Sequence, residues 1–467
     1  MVHAGDVGFS AAASFDVATL DPDVVARRTL ELLDHNSWSR EQVLTYQKVR
    51  LKKTLQHAVS ASAFYRKRIG DLVARNAPLK ALPTMNKAIL MAEFDRIVTD
   101  PRLNRATVEQ HIESDSAGLL LLDQYRVVAT GGSSGQRGVF VYDQAGWELA
   151  FANARRFQRM LGMPPDARAL GIGAPSAVHL TYRFNAEHRV GRPDAPRLSV
   201  TTPMPEVVTA LNAYQPELIS TYPSFIRQLA EEQRAGRLQI SPRAMRSVAE
   251  VLSPDVKDLV WNTWKTRVTN NYAATEAGII GMECRELSGI HLAEDLVIVE
   301  VVDEANRPVP PGVQGAKVLV TTMFNRVFPV VRYELSDLVA MVPGHCPCGS
   351  PFRRIEDIQG RSEEMLQVWT SSGEQVNVHA ARLWFHLVRV AGIRQYQFVQ
   401  LATGIRVLLA VYSDCDRAEV RKAGEQIVRT ALSDLGAKTA HVEIQIVDKV
   451  DRIGSGAKLK SVVAAQT

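Results

Sequence analysis

YRVVATGGSSGQRGVFVY, residues 125–142, sets a run of glycine and hydroxyl residues between two stretches of strand-like composition. The segment therefore reads as strand, loop, strand. Glycines let the backbone bend and approach a polyphosphate closely, while Thr130, Ser133 and Ser134 offer hydroxyl donors. A plain Gly/Ser turn has the same composition, so the surroundings decide. A Walker-type loop needs G-x-x-x-x-G-K-[ST] opening a helix, but here no lysine follows and VFVY continues as a strand. A dinucleotide fingerprint fails for the same reason, which leaves a mobile loop over nucleotide phosphates or an ordinary turn.

Downstream, a helix is expected over 144–161, with Trp147, Leu149, Ala150, Phe151, Ala154, Phe157 and Leu161 on its buried face. ALGIGA (169–174), ELIS (217–220), SVAEVL (247–252) and RVTNNY (267–272) read as strands, with a helix from about 223. Strands alternating with helices indicate an α/β sheet whose sites lie at strand ends. Residues 296–322 differ: two β-runs joined by a Pro/Gly-rich turn predict an antiparallel or barrel-like section. Upstream, 40–61 and 86–97 carry helical spacing. The last hundred residues read as a small α+β unit: a helix at 379–390, a hairpin, a helix at 416–435 and a strand at 441–448. The pattern breaks near GRSEEML (360–366), so the expected division is a large domain over 1–361 and a small one over 362–467.

At 467 residues the chain is too long for one compact core. Hydrophobic residues make up 46% and charged residues 22%, the balance of a globular enzyme. The net charge of +5 is dispersed, with no block of like charges to serve as a nucleic-acid arm. No apolar run approaches the roughly 20 residues that cross a bilayer, and LLLL at 119–122 is core material. No secretory leader is visible, and four cysteines do not suggest a disulfide framework. A reducing, cytoplasmic setting is the expectation; an oligomer is compatible with the composition.

Three further segments carry chemistry. In NNYAATEAG (270–278), Tyr272 offers an aromatic face, Thr275 a hydroxyl and Glu276 a carboxylate at one strand end. An aromatic can stack on a purine, and a carboxylate can hold Mg²⁺ beside phosphates. A helix N-cap at Thr275 is the alternative. In VVRYELSDLV (330–339), Asp337 can take both hydroxyls of a ribose, or serve as an ordinary turn aspartate. Cys284, His291, Cys346 and Cys348 together supply three thiolates and an imidazole, a donor set for tetrahedral Zn²⁺. Their C-x-C spacing is tighter than usual, and buried cysteines are the alternative. Cys415 stands apart.

These segments, in this order, with GRSEEML next and a lysine near the C-terminus, resemble the adenylate-forming superfamily of acyl- and aryl-CoA synthetases. Within it the chain looks most like the phenylacetate-CoA ligase-like branch. YQPELISTYPSFIRQLA (214–230), the HL–ED run at 291–295 and CPCG at 346–349 add to the resemblance, which runs from about 40 to 463.

The resemblance implies a mobile C-terminal domain and a set of roles. Thr130, Gly131, Gly132, Ser133, Ser134 and Gly135 match the phosphate-binding loop, although Gln136 and Arg137 depart from the usual pattern. Tyr272 matches the adenine-stacking aromatic, with Ala249 and Glu250 on the adenine-side loop. Thr275 and Glu276 match the phosphate and Mg²⁺ contacts, Asp337 the ribose aspartate, and Arg361 an arginine on ribose or phosphate. Glu363 takes the hinge position, where aspartate is commoner. In RIGSGAKLKSVV (452–463), Lys458 matches the lysine of the adenylation half-reaction, with Lys460 as the neighbouring candidate. Either could instead be a solvated tail charge. His179, Tyr182 and Tyr222 are expected at the acyl pocket.

The implied activity has two steps. ATP and a carboxylic acid give an acyl-adenylate, and domain rotation then admits a thiol, CoA or one on a carrier protein. Transfer to an amine or other nucleophile, and a regulator that binds nucleotide without catalysis, are the alternatives. Retention of both Glu276 and Lys458 argues against the regulator.

Overall fold

The computed structural model describes residues 20–114, 117–130, 137–189, 192, 194–361, 364–370, 372–387, 390–402, 404–412, 415–437, 440–452 and 457–464. The N-terminal part is helical, as expected. Arg40–Ala61 is one helix, started by a capping box between Ser39 and Gln42 that satisfies two otherwise orphaned amides. The helix expected over 86–97 is two short ones, Lys87–Ala92 and Phe94–Ile97, broken at Glu93.

The opening segment is a hairpin. β1 (Arg126–Ala129) pairs antiparallel with β2 (Val139–Tyr142), and every residue of both is buried. At its open end, the Thr130 N–H donates to the Gly138 carbonyl and the Gly138 N–H donates to Thr130 Oγ1, both at 2.8 Å. Helix Gln144–Met160 follows, capped by the Asp143 carboxylate, and buries Trp147, Ala150, Phe151, Ala154 and Phe157.

The main sheet has eight strands. Its parallel half is β3 (Ala169–Ile172), β4 (Leu218–Thr221), β5 (Ala244–Ser247) and β6 (Val268–Ala274), with helices between. β7 (Gly278–Glu283) and β8 (Ile290–Leu292) continue it antiparallel. β9 (Val297–Val302), β10 (Lys317–Thr322) and β11 (Tyr333–Leu335) form the antiparallel section expected after 296. β12 (Met341–Val342) and β13 (Arg354–Ile355) close the far edge of the main sheet beside β8.

One strand was misplaced by the sequence reading. SVAEVL contributes only Ser247 to β5, and 248–252 form the loop that leaves it. Ala249 adopts φ 68°, which an extended strand does not allow. The apolar Val248, Val251 and Leu252 imitated a strand because they pack against neighbouring cores from a loop.

Beyond 364, β14 (Met365–Trp369) and β15 (Gln375–His379) form a hairpin that the sequence reading did not foresee. Helix Ala380–Leu387, β16 (Ile393–Leu401), β17 (Gly404–Val411), helix Arg417–Asp434, β18 (His441–Val447) and β19 (Val462–Ala464) follow. The last four strands make a sheet ordered β18-β17-β16-β19. Leu366, Leu383, Phe398, Leu409 and Val428 belong to a core of their own. Among the described residues, no helix is long and apolar enough to cross a membrane.

Candidate active site

A cavity of about 630 Å³ lies over the face and carboxyl ends of β3–β6, bounded by the β1–β2 hairpin, the turn after β6 and the segment after β11. Strand ends in a parallel sheet collect loop residues at one edge, which is why this edge carries the candidate groups.

Asp337 leaves β11 and pairs by backbone with Arg361, so two segments 24 residues apart are joined at the cavity wall. Its Oδ1 accepts from Arg361 Nε at 3.3 Å and its Oδ2 from the Tyr272 hydroxyl at 2.9 Å. Tyr272 is 3% exposed, and its ring is not among the residues lining the cavity. Burial and the neighbouring Asp337 carboxylate push its phenol well up, so the hydroxyl stays a donor. The geometry thus gives Tyr272 a hold on Asp337, while Asn271, Ala273 and Ala274 from the same strand line the cavity.

Thr275 and Glu276 occupy the tight turn between β6 and β7, not a helix start. Gly278 ends that turn at φ 64°, a conformation glycine adopts without strain. The Tyr142 hydroxyl from the hairpin donates to the Thr275 carbonyl at 2.7 Å, and the Tyr333 hydroxyl from β11 donates to Glu276 Oε1 at 3.1 Å. Glu276 is 6% exposed yet lines the cavity. A carboxylate that lines a cavity in this way is of the type that can hold Mg²⁺.

Lys458 lines the cavity with Glu276, Asp337 and Arg361. Burial and the Arg361 guanidinium push its ammonium down to about 8, against the pull of Glu250, Asp337 and Glu276. Lys460 does not line the cavity; its carbonyl accepts from Gln397 Nε2 at 3.1 Å. Glu250 also stands back from the cavity, whereas Ala249 lines it. The Glu250 carboxylate accepts from the Ser224 N–H at 3.2 Å, the Leu459 N–H at 2.9 Å and Arg452 Nη1 at 3.5 Å. Arg452 Nη2 also donates to Ser224 Oγ at 3.0 Å. Gly131, Gly132, Ser133, Ser134 and Gly135, and Glu363 at the expected hinge, lie outside the described residues. Thr130 at the loop's base lines the cavity.

Of the acyl-pocket candidates, His179 and Tyr222 line the cavity and Tyr182 does not. His179 Nδ1 bonds to the Ala129 carbonyl at 3.2 Å, which ties the pocket to β1. Burial pushes the Tyr222 phenol up to about 12. The sequence reading missed Arg246, Asn185 and His188, which also line the cavity. One signal was available: Arg246 directly precedes SVAEVL, the segment read as a strand.

Cys284, His291, Cys346 and Cys348 converge at the other end of β7 and β8, with donor atoms all within 4.8 Å of one another. Cys284 Sγ lies 3.7 Å from Cys346 Sγ, and Cys348 Sγ lies 3.4 Å from His291 Nε2. A tetrahedral Zn²⁺ with bonds near 2.3 Å to sulfur has ligand–ligand edges of about 3.8 Å. His291 Nδ1 is engaged by the Phe352 carbonyl at 3.3 Å, which leaves Nε2 facing the thiols. These residues fit zinc. The HL–ED acids are structural: Glu294 accepts from Arg40 Nη2 at 3.0 Å and Arg353 Nε at 2.7 Å, and Asp295 accepts from Arg156 Nη1 at 2.6 Å.

No protein-family model matches the chain. The phenylacetate-coenzyme A ligase of Thermus thermophilus is 27% identical over 260 residues, which cover 53% of this chain and 56% of that enzyme. The chain thus spans little more than half the length of that relative. The Escherichia coli phenylacetate-coenzyme A ligase is 25% identical over 363 residues, covering 75% of this chain and 77% of the enzyme. Among solved structures, a 2-hydroxyisobutyryl-CoA ligase in the postadenylation state superposes with a TM-score of 0.74 at 19% identity, covering 98% of this chain and 96% of that one. The same ligase in the thioesterification state gives 0.59. The fold around the cavity is thus that of the 2-hydroxyisobutyryl-CoA ligase. In sequence, the chain is similar to phenylacetate-coenzyme A ligases.

Proposed function

We propose that this protein uses ATP to convert a carboxylic acid to an acyl-adenylate and then transfers the acyl group to a thiol, that of CoA. The observation that carries this reading is the meeting of Lys458, Glu276, Asp337 and Arg361, from four separate segments, in one cavity.

In the first step the acid carboxylate attacks the α-phosphate of ATP and pyrophosphate leaves. The two reactants repel each other, and Lys458 offsets that repulsion as charge builds at the α-phosphate. Asp337, steadied by Tyr272 and Arg361, receives the ribose hydroxyls. Thr275 and the loop Thr130–Gly138 receive phosphate, and Ala249 borders the adenine. Glu276 would hold Mg²⁺, which neutralises phosphate charge when bound. No covalent enzyme intermediate is needed, because positioning and charge neutralisation suffice.

In the second step the thiolate displaces AMP from the acyl carbon. The 1–361 and 362–467 units turn about Glu363 for this step, which withdraws Lys458. The separate core beyond residue 364 and the few polar contacts that seat Lys458 support that motion. Cys284, His291, Cys346 and Cys348 would hold a zinc ion that staples β7, β8 and the loop before β13, outside the cavity lining. A cytoplasmic setting, where ATP and CoA are available, fits the reading.

ATP–pyrophosphate exchange over aryl, short-chain and long-chain acids, repeated with CoA and thioester detection, tests it. Exchange without CoA consumption would redirect the second step to a carrier-protein thiol or an amine. ATP binding with no exchange for any acid would sink the proposal in favour of a nucleotide-binding regulator.

A further inference from the structure

The floor of the acyl pocket is built from one row of the main sheet. Gly171, Ser220 and Arg246 are register partners on β3, β4 and β5, and all three line the cavity. Paired positions on adjacent parallel strands present their side chains to the same face. Gly171 has no side chain and Ser220 a short one, so Arg246 is the single long group of the row. The Asn185 amide, itself part of the lining, packs directly over this position: a Cβ on Gly171 would lie 1.7 Å from Asn185 Oδ1.

Arg246 is 4% exposed, and its Nε and Nη2 have no hydrogen-bond partner among the described residues. Of the four acids lining the cavity, Asp337 is engaged with Tyr272 and Arg361, Glu276 with Tyr333, and Glu334 with Thr84 and Lys317, and neither these nor Glu304 is among the charges that act on Arg246. The groups that do face Arg246 are Arg155 and His188, so its surroundings add positive rather than negative charge. Burial and Arg155 push its guanidinium down to about 10, which still leaves it charged at neutral pH. Nearby, the buried His188 Nδ1 and Asn271 Oδ1 also lack partners. A buried, unpaired guanidinium destabilises a fold unless an anion is supplied.

We propose that the acid activated by this protein carries a second anionic group, a distal carboxylate, and that Arg246 binds it at the floor of the acyl pocket. This rests on the reading of the cavity as an acid-activating site. The planar guanidinium fork matches a carboxylate bidentately, and a monoacid of the same skeleton would leave it unpaired. Substrates of this protein are accordingly dicarboxylic acids, activated at the carboxylate facing Lys458.

The test uses matched pairs on the full chain: benzoate against isophthalate and terephthalate, and hexanoate against adipate. ATP–pyrophosphate exchange is measured for the wild type, Arg246→Met and Arg246→Lys, with thermal-shift binding of the same acids in the presence of AMP. The wild type is expected to favour at least one diacid over its monoacid by about 100-fold in kcat/KM. Arg246→Met should erase that preference while its unliganded Tm stays at or above the wild-type value, since an unpaired buried charge is removed. Arg246→Lys, which keeps a charge without the fork, should retain part of the preference and serves if Arg246→Met does not fold. Equal use of monoacids and diacids by the wild type, or an unchanged ratio in Arg246→Met, would overturn the proposal. If no acid supports exchange, the activity reading fails and binding alone decides. A diacid-specific thermal shift that Arg246→Met abolishes supports the anion site, and no shift with any diacid overturns it.

Discussion

The Glu250 carboxylate accepts the backbone N–H of Leu459 across 209 residues of chain, at 2.9 Å. The same carboxylate accepts from Ser224 and Arg452, so the loop after β5 holds the residue next to Lys458 from two directions. Glu250→Gln keeps the shape but removes the charge from these bonds. Charge-assisted hydrogen bonds contribute about 1.5–3 kcal/mol each, so the seated position of Lys458 should lose population. Adenylation, followed by pyrophosphate exchange, is expected to fall about tenfold. Thioester formation from a supplied acyl-adenylate should be unchanged or faster; a parallel loss of both would count against a seating role.

Lys458→Ala should reduce adenylation by about 100-fold or more, the scale for removing one preorganised charge from a developing anion. Thioester formation from supplied adenylate should survive. Lys460→Ala should change adenylation by less than about threefold, because Lys460 does not line the cavity. Reversal of the two outcomes would reassign the lysine.

The Lys458 ammonium is pushed down to about 8, well below its unfolded value near 10.5. Charge on this lysine is present below about pH 8 and lost above it. kcat/KM for adenylation should therefore decline above about pH 8 with a single deprotonation, since that parameter reports the free enzyme. Lys458→Arg, which stays charged, should flatten the alkaline limb. The linkage to stability has the opposite sign. Between about pH 8 and 10.5 the unfolded chain binds the extra proton, so this residue's contribution to stability rises with pH.

Metal analysis of the purified protein should find one zinc per chain. Cys346→Ser should lose it, and Tm should fall by about 5 °C or more as the staple across β7, β8 and the loop before β13 is released. Adenylation at low temperature should change much less, because the tetrad stands apart from the cavity. Unchanged zinc content in Cys346→Ser would remove the proposal.

Asp337→Asn should raise KM for ATP by about 10–100-fold, and more than it lowers kcat, because the carboxylate serves binding. It also replaces one of the two oxygens that accept from Arg361 and the Tyr272 hydroxyl with an amide nitrogen that donates. A lower thermal midpoint by differential scanning fluorimetry is expected alongside the kinetic change.

Local patterns were legible wherever a residue's role depended on its own neighbours in sequence. The strand–loop–strand of 125–142, the apolar face of Gln144–Met160 and the β16–β17 hairpin follow from period and turn composition. Thr275, Glu276, Asp337, Arg361 and Lys458, grouped by the order of their motifs, line one cavity. Tertiary structure alone decided what each side chain faces. Tyr272 turned its hydroxyl to Asp337, Glu250 turned from the nucleotide loop to Leu459, and Lys458 rather than Lys460 entered the cavity. Arg246 stayed hidden for the same reason. A strand residue's neighbours across a parallel sheet come from segments tens of residues away, so neither its burial nor its want of a counter-charge is written near it in the chain.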